Sequence, residues 1–177
     1  MNRSHGTTLQ RAVKKAKGGD AYAFRVIFED MSDRLFAYTL SHIKNRDDAL
    51  DIVQETFIAL WDSLPGLEYR SDEAFYGFVF TILKRKLYRE YKAQNKTTSF
   101  EEINIYEEHS FTEDYRHLHK HVDTLAPKYR ELLRLRYWTG MTFGEIATTL
   151  NIKETTAKVR HHRAIQKLKG NVEKYDI

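Results

Sequence analysis

The chain has 177 residues, enough for one domain of average size or two small ones. Apolar residues make up 41% and charged residues 31%, as in globular rather than disordered proteins. The absence of cysteine excludes disulfide scaffolds, thiolate zinc sites and thiol catalysis. No uncharged apolar run approaches the roughly 18 residues of a membrane span, and the polar first ten residues do not resemble a signal peptide. We therefore expect a cytoplasmic protein without membrane insertion.

The net charge of +4 is unevenly distributed along the chain. Residues 1–96 carry 16 Lys and Arg against 13 Asp and Glu. Residues 97–114 carry six acids and no base, whereas residues 115–177 carry 13 bases against six acids. A basic C-terminal third favours a polyanionic partner, although a solvated surface would have the same charge.

The apolar spacing of the first half is helical and predicts an all-α fold. The break at Gly18-Gly19-Asp20 offers an N-cap to the first predicted helix. One side of this helix carries Phe24, Ile27, Phe28 and Met31. Further helices are predicted at about 33–43, 47–64 and 72–92. Pro65-Gly66 is expected to end the second of these three helices.

The segment 95–114 changes character and is predicted to be a linker. It mixes Thr, Ser, Asn and acids with isolated aromatics, and repulsion between its acids should keep it extended. Helices are predicted to resume near Tyr115. Pro127 suits the first turn of a helix through Trp138, which Thr139-Gly140 ends. Two more helices are predicted at about 143–150 and 155–169.

These last two helices have the pattern of a helix-turn-helix. Ala147 is small where two helices approach, and Asn151 tolerates the left-handed backbone of a tight turn. The inner face of the second helix carries Ala157, His161, Ala164, Ile165 and Leu168. Its outer face offers cationic and hydrogen-bonding groups that suit the DNA major groove, although a three-helix bundle with a solvated basic face is the alternative. The candidate duplex-DNA residues are Thr155, Thr156, Lys158, Val159, His162, Arg163 and Gln166.

The predicted helix 47–64 is apolar on one side and acidic on the other. The apolar side carries Ala49, Val53, Phe57, Leu60 and Leu64, with Leu50 and Trp61 beside them. The opposite side carries Asp48, Asp51, Glu55 and Asp62 within a sector of roughly 60°. Acids on one stripe repel one another, which a basic partner surface would relieve and DNA phosphates would not. This pattern favours docking to a basic partner, although an ordinary solvated face is the alternative.

The next predicted helix combines bases with aromatic residues. Six bases lie between Lys84 and Lys96, against Glu90 alone. Cations can hold phosphates while rings stack on unpaired bases, each stack contributing about 1–3 kcal/mol. This pattern predicts binding of single-stranded nucleic acid, with Phe75, Phe78 and Phe80 serving mainly as core.

Taken together, these segments resemble bacterial RNA polymerase sigma factors. Residues 17–96 resemble the promoter-melting region 2, and residues 115–170 resemble the upstream-element-binding region 4. The direct join through a short linker resembles the extracytoplasmic-function (ECF) group. The segments that carry the resemblance are Gly19 to Phe24, Asp48 to Phe57, Ala74 to Tyr91, Leu125 to Leu132 and Gly140 to Ala147.

The resemblance implies two small helical domains, 1–96 and 115–177, joined by an acidic linker at 97–114. The first would bind core RNA polymerase and open the promoter, and the second would read duplex DNA through the outer face described above. The implied polymerase-binding residues are Asp48, Asp51, Gln54, Glu55, Ile58 and Asp62. The implied single-strand-binding residues are Leu67, Tyr69, Tyr76, Lys84, Arg85, Tyr88, Arg89 and Lys92.

The resemblance also implies partners: core RNA polymerase, promoter DNA in duplex and melted form, and an anti-sigma regulator, which is usual in this group. We expect the free protein to be a monomer without cofactor or metal. Arg85 stands where many relatives have Asn, and Arg89 where many have Asp. These departures leave the preferred bases of the downstream element unpredictable.

Two other classes of function are weaker hypotheses. An enzyme is not expected, since the sequence has no glycine-rich phosphate loop, no His-Glu-x-x-His and no plausible triad. His117 and His121 would share a helical face, but no third metal ligand accompanies them. The alternative is a helix-turn-helix repressor or activator with a helical sensing or dimerisation domain, which would bind duplex DNA alone as a symmetric dimer.

Overall fold

The computed structural model describes residues 5–43, 45–94 and 121–175, and within these ranges the regular structure is helical. The predicted all-α class is confirmed. The predicted linker and the helical start near residue 115 lie outside the described residues. The N-terminal unit contains α1 (His5–Ala16), α2 (Ala21–Leu40), α3 (Arg46–Ser63), a 3-10 turn (Leu64–Gly66) and α4 (Asp72–Gln94). The C-terminal unit contains α5 (Pro127–Tyr137), α6 (Phe143–Leu150) and α7 (Glu154–Tyr175), and residues 121–123 before it are also helical.

Two predicted helix boundaries in the N-terminal unit are confirmed by local hydrogen bonds. The Asp20 carboxylate accepts from the backbone N–H groups of Tyr22 and Ala23, so Asp20 is the N-cap of α2. At the end of α3 the chain tightens into the 3-10 turn that contains Pro65, and Leu67 after it is extended.

The structure differs from the sequence-based expectation at the start of the chain. Helix α1 was not predicted, although Leu9, Ala12, Val13 and Ala16 have helical spacing and are buried against the core. The two helices expected between residues 20 and 43 form the single helix α2. Helix α2 passes through Asp33 without a break, because Met31, Leu35 and Tyr38 on either side of it are all buried.

The C-terminal unit has the expected helix-turn-helix. Pro127 begins α5, and Gly140 at φ +67° follows it. The Thr142 hydroxyl accepts from the Glu145 N–H while the Glu145 carboxylate accepts from the Thr142 N–H, a reciprocal cap that begins α6. Asn151 adopts the left-handed conformation, at φ 52°, and turns the chain into α7. Helix α7 runs six residues beyond the predicted end at 169.

The two units pack directly against each other. Helix α4 of the N-terminal unit lies along α6 of the C-terminal unit. At Gly77 the approach is so close that an added Cβ would lie 3.1 Å from Cγ2 of Thr148. Buried residues of both units, from Tyr38 and Phe80 to Leu132 and Ile146, belong to one continuous apolar cluster.

We predict that the turn before α7 depends on the left-handed backbone of Asn151. Asn151→Gly should leave the free energy of unfolding nearly unchanged, because glycine adopts positive φ without a steric penalty. Asn151→Val should lower it by about 1–2 kcal/mol, because a β-branched side chain meets the preceding carbonyl in this conformation. Urea unfolding of both variants measures the difference, and equal stabilities would contradict the prediction.

Candidate polymerase and nucleic-acid interfaces

The outer face of α3 presents acids beside exposed apolar side chains. Of the six residues predicted to bind polymerase, Asp48 is half-buried and the other five are exposed. Ile58 and Leu50 are 56% and 45% exposed, although Leu50 was expected beside the core. The Glu55 carboxylate is 2.8 Å from Nζ of Lys86 on α4. An apolar centre with an acidic surround has the composition of a protein-docking surface rather than of a DNA-binding one.

The predicted single-strand-binding residues, in α4 and the loop before it, fall into two groups. Arg85, Arg89 and Lys92 are exposed, and Leu67, Tyr69 and Tyr88 are half-buried. The Tyr69 hydroxyl donates to the Asp72 carboxylate, which ties the loop before α4 to the first turn of that helix. Phe75 and Phe80 are buried and Phe78 is half-buried, so their expected core role is confirmed.

Tyr76 and Lys84 form the second group, and both have protein partners: Asp30 and Arg34 of α2 for Tyr76, and Glu131 of α5 for Lys84. Tyr76 is only 6% exposed, and its hydroxyl donates to Oδ2 of Asp30 over 2.7 Å. Burial and the neighbouring Asp30 raise the pKa of Tyr76 well above its ordinary value. The Arg34 guanidinium lies 4.5 Å from the centre of the Tyr76 ring. These two residues are therefore held by protein groups in this conformation, a placement that the sequence did not reveal.

The contact between the units centres on one carboxylate of α5, that of Glu131. Oε1 of Glu131 accepts from the Tyr38 hydroxyl over 2.7 Å and lies 2.5 Å from Nζ of Lys84. Its other oxygen is 3.6 Å from Nε2 of His42. Burial disfavours ionisation of Glu131, but Lys84 and His42 outweigh this and hold the pKa of Glu131 well below its ordinary value. The sequence does not single out Glu131, because its partners Lys84, His42 and Tyr38 lie some 50 to 90 residues earlier in the chain.

The helix-turn-helix presents its predicted outer face to solvent. All seven candidate duplex-DNA residues, from Thr155 to Gln166, are exposed. Ala157 and Ala164 are buried on the opposite face, as expected. His161 also turns inward, 3.0 Å from the Tyr137 hydroxyl, and burial lowers the pKa of His161. The geometry is that of a recognition helix whose N-terminal half is free to enter a groove.

The chain matches two protein-family models. Residues 27–97 match "Sigma-70 region 2" and residues 116–168 match "Sigma-70, region 4". Together the matches span more than half of the chain. The chain belongs to the sigma-70 family. It is a transcription initiation factor, and its curated relatives place it in the ECF group.

Similar proteins include the RNA polymerase sigma factor SigV of Bacillus subtilis, 27% identical over 84% of this chain and 90% of SigV. Among solved structures, one similar protein is CnrH in complex with the cytosolic domain of CnrY. The structural match covers 94% of this sigma factor and 97% of CnrH, with a TM-score of 0.70 and 22% identity. Another is RpoE of Bartonella quintana in complex with the anti-sigma factor NepR. That match covers 85% of this chain and 96% of RpoE, with a TM-score of 0.62 and 22% identity. The two solved structures show the same fold.

The family matches do not favour the alternative of a helix-turn-helix repressor. Each match falls on one of the two helical units of this sigma factor. In the part of the chain that the structure describes, no helix is long and apolar enough to cross a membrane. The same residues contain no group of three His, Asp or Glu side chains placed to hold a metal ion.

We predict that His42 makes this sigma factor less stable as the pH falls. Burial and the nearby Arg134 lower the pKa of His42 below its ordinary 6.5, against the opposing effect of Glu131. Between about pH 7.5 and 5.5 the unfolded chain therefore binds more protons at this position than the folded chain does, so the free energy of unfolding falls as the pH falls. The depressed pKa of Glu131 acts only below its ordinary value of 4.5, outside this window.

Urea unfolding at both pH values measures this effect. His42→Gln should reduce the loss of stability between pH 7.5 and 5.5, whatever its effect at pH 7.5 alone. A loss in the variant as large as in the unmodified chain would show that His42 is not the group responsible.

Proposed function

We propose that this sigma factor binds core RNA polymerase, melted promoter DNA and duplex upstream DNA through three separate faces of the molecule. The face of α3 that carries Asp48, Asp51, Gln54, Glu55, Ile58 and Asp62 binds core RNA polymerase. Exposed Ile58 and Leu50 supply apolar area, and the acids around them supply the charge that selects a basic partner surface. The observation that carries this assignment is the exposure of both kinds of side chain on one helix.

Melted promoter DNA binds along the loop 65–71 and α4. Arg85, Arg89 and Lys92 give an exposed basic track, beside which Tyr69 and Tyr88 offer rings for stacking. Lys84 joins this surface once it is released from Glu131 of the C-terminal unit, and Tyr76 joins it once its ring is released from Asp30 and Arg34. A base drawn out of the duplex costs a few kcal/mol, which the stacking and the phosphate contacts must offset.

Duplex DNA of the upstream element is read by the outer face of α7. Lys158 and Arg163 can donate hydrogen bonds to phosphates or base edges, and His162 lies between them on the exposed face. Val159 is 51% exposed and has no hydrogen-bonding group, so it reads by apolar contact, for example with a thymine methyl group.

This sigma factor acts by binding alone, as a cytoplasmic monomer when free, and catalyses no reaction. Its domains are residues 1–96 and 115–177, joined by the acidic linker 97–114. Solved structures of similar fold are complexes, RpoE with the anti-sigma factor NepR and CnrH with the cytosolic domain of CnrY. We propose an anti-sigma regulator for this chain as well.

The docking role of α3 predicts the effect of a charge reversal. Asp51→Lys with Glu55→Lys should abolish co-elution with bacterial core RNA polymerase in size-exclusion chromatography at moderate salt, because the reversed charges repel a basic surface. The control is Glu29→Lys with Asp33→Lys, which reverses two exposed acids at the same i, i+4 spacing on α2 and should leave co-elution unchanged. Retained binding by the α3 variant, or equal loss in both variants, would reject the docking surface.

The reading role of α7 predicts a sequence-specific effect. Arg163→Ala should cost about 1–3 kcal/mol of preference at one base pair of the upstream element if Arg163 contacts a base. The measurement compares the DNA fragments enriched by reconstituted polymerase with each variant. Lys169→Ala, an exposed base later on the same helix, should leave the preferred sequence unchanged. An unaltered preference in the Arg163 variant would place its side chain on phosphate or in solvent.

A further inference from the structure

Helix α1 carries exposed basic side chains that none of the three proposed binding surfaces includes. Residues 1–19 contain five Lys and Arg and no Asp or Glu. We propose that α1 binds phosphates of the melted promoter strand next to the loop 65–71, and so adds a second helix to the single-strand-binding surface. The inference rests on the proposed role of that loop and of α4.

The bases of α1 lie on the side of the helix that faces away from the core. Four apolar residues of α1, from Leu9 to Ala16, are buried against the core. Arg11, Lys14 and Lys15 are exposed. Since successive helical residues are about 100° apart, these three bases fall within a sector of about 100° on the opposite side of the helix. The sequence therefore builds one basic face on α1.

No carboxylate neutralises this face within the ranges that the structure describes. The ion pairs of Lys and Arg found there involve other residues. Arg11 is three and four residues from Lys14 and Lys15, so the like charges repel one another. The C-terminal end of a helix favours cations, which accounts for Lys14 and Lys15 in the last turn but not for Arg11. A polyanionic ligand would relieve the repulsion among all three.

The C-terminal end of α1 is tied to the loop that precedes α4. The Lys17 ammonium donates to the carbonyl of Leu67, a residue of that loop which the proposed function assigns to melted DNA. Lys14 lies three residues before Lys17, and Arg11 three residues before Lys14, so the three form a row along the helix. The row spans about 9 Å, the length of two or three nucleotides at about 3.4 Å each. A strand whose base is held at the loop therefore has a cationic path for its neighbouring phosphates.

The side chains of this face determine which part of the strand they contact. From residue 8 onward, the exposed side chains of α1 are Lys and Arg together with Thr8 and Gln10, and none of them is aromatic. This face therefore offers no ring for stacking on a base, whereas α4 offers Tyr88. Cations that meet only the backbone contribute affinity without reading sequence. We expect α1 to hold the strand and α4 with its loop to select it.

The test removes two charges of the row from α1 in the complex with core RNA polymerase. Arg11→Gln with Lys14→Gln leaves the helix propensity nearly unchanged, because glutamine is a good helix former, and both positions are exposed. Lys17 is left unchanged, because its ammonium holds the loop in place.

Two further variants make the same charge change elsewhere in the chain. Lys128→Gln with Lys169→Gln is the control, since both bases are exposed on the C-terminal unit, outside the proposed binding residues. Arg85→Gln with Arg89→Gln makes the change on the proposed basic track of α4.

The measured quantity is the dissociation constant for a fluorescent single strand of about 20 nucleotides over a range of salt concentrations. Each lost phosphate contact should lower the magnitude of the slope of log affinity against log salt by about 0.7. For the α1 variant we expect a fall of about 1.4 and about tenfold weaker binding at about 0.15 M salt, by the same factor for two strands of different sequence. An unchanged slope, or an equal loss in the Lys128 and Lys169 control, overturns the proposal.

The α4 variant separates this inference from the proposed function. Loss of affinity in the α4 variant alone would leave the role of α4 intact and make α1 an ordinary solvated face. Loss in the α1 variant alone would support the phosphate site on α1 and reject the role of α4, and no loss in either would reject both. A duplex of the same length identifies the ligand: if the α1 variant weakens binding of duplex as much as of single strand, the assignment to the melted strand is wrong.

Discussion

The fold of this sigma factor depends on one carboxylate, that of Glu131, lying between its two helical units. A buried charge without a partner is too costly to persist, so the position of Glu131 requires Tyr38, His42 and Lys84 to be close by. These partners bring α2 and α4 against α5. Once the units are so arranged, α6 lies along α4, and Gly77 opposite Thr148 allows the close approach.

In the same arrangement, some of the proposed binding residues are exposed and others are covered by protein side chains. The acidic and apolar face of α3 and the outer face of α7 are both exposed. Under the proposed roles, polymerase and duplex DNA can therefore bind without rearrangement. Tyr76 and Lys84 are covered. Under the proposed roles, recruitment precedes strand opening, because the surface that stabilises melted DNA is assembled only after the units part.

Local patterns in the sequence predicted most of the helices, because caps and breaks such as Asp20, Pro65 and Asn151 act within a few residues of themselves. The split predicted near Asp33 was wrong, since burial on both sides of that residue overrides its local preference. The outward residues of α7 followed from helical spacing alone. The covering of Tyr76 and Lys84 could not be predicted, because it depends on contacts with α2 and α5 that no local spacing encodes.

The measurement that tests the central claim most directly is the distance between two spin labels, with and without core RNA polymerase. The chain has no cysteine, so Lys14→Cys and Lys169→Cys, both at exposed positions, place one label on each unit. We predict that the free chain has a short, narrow distance between the labels and that stoichiometric core polymerase converts it to a longer one. A complex in which the short distance persists would contradict the claim that the units must part for the factor to act.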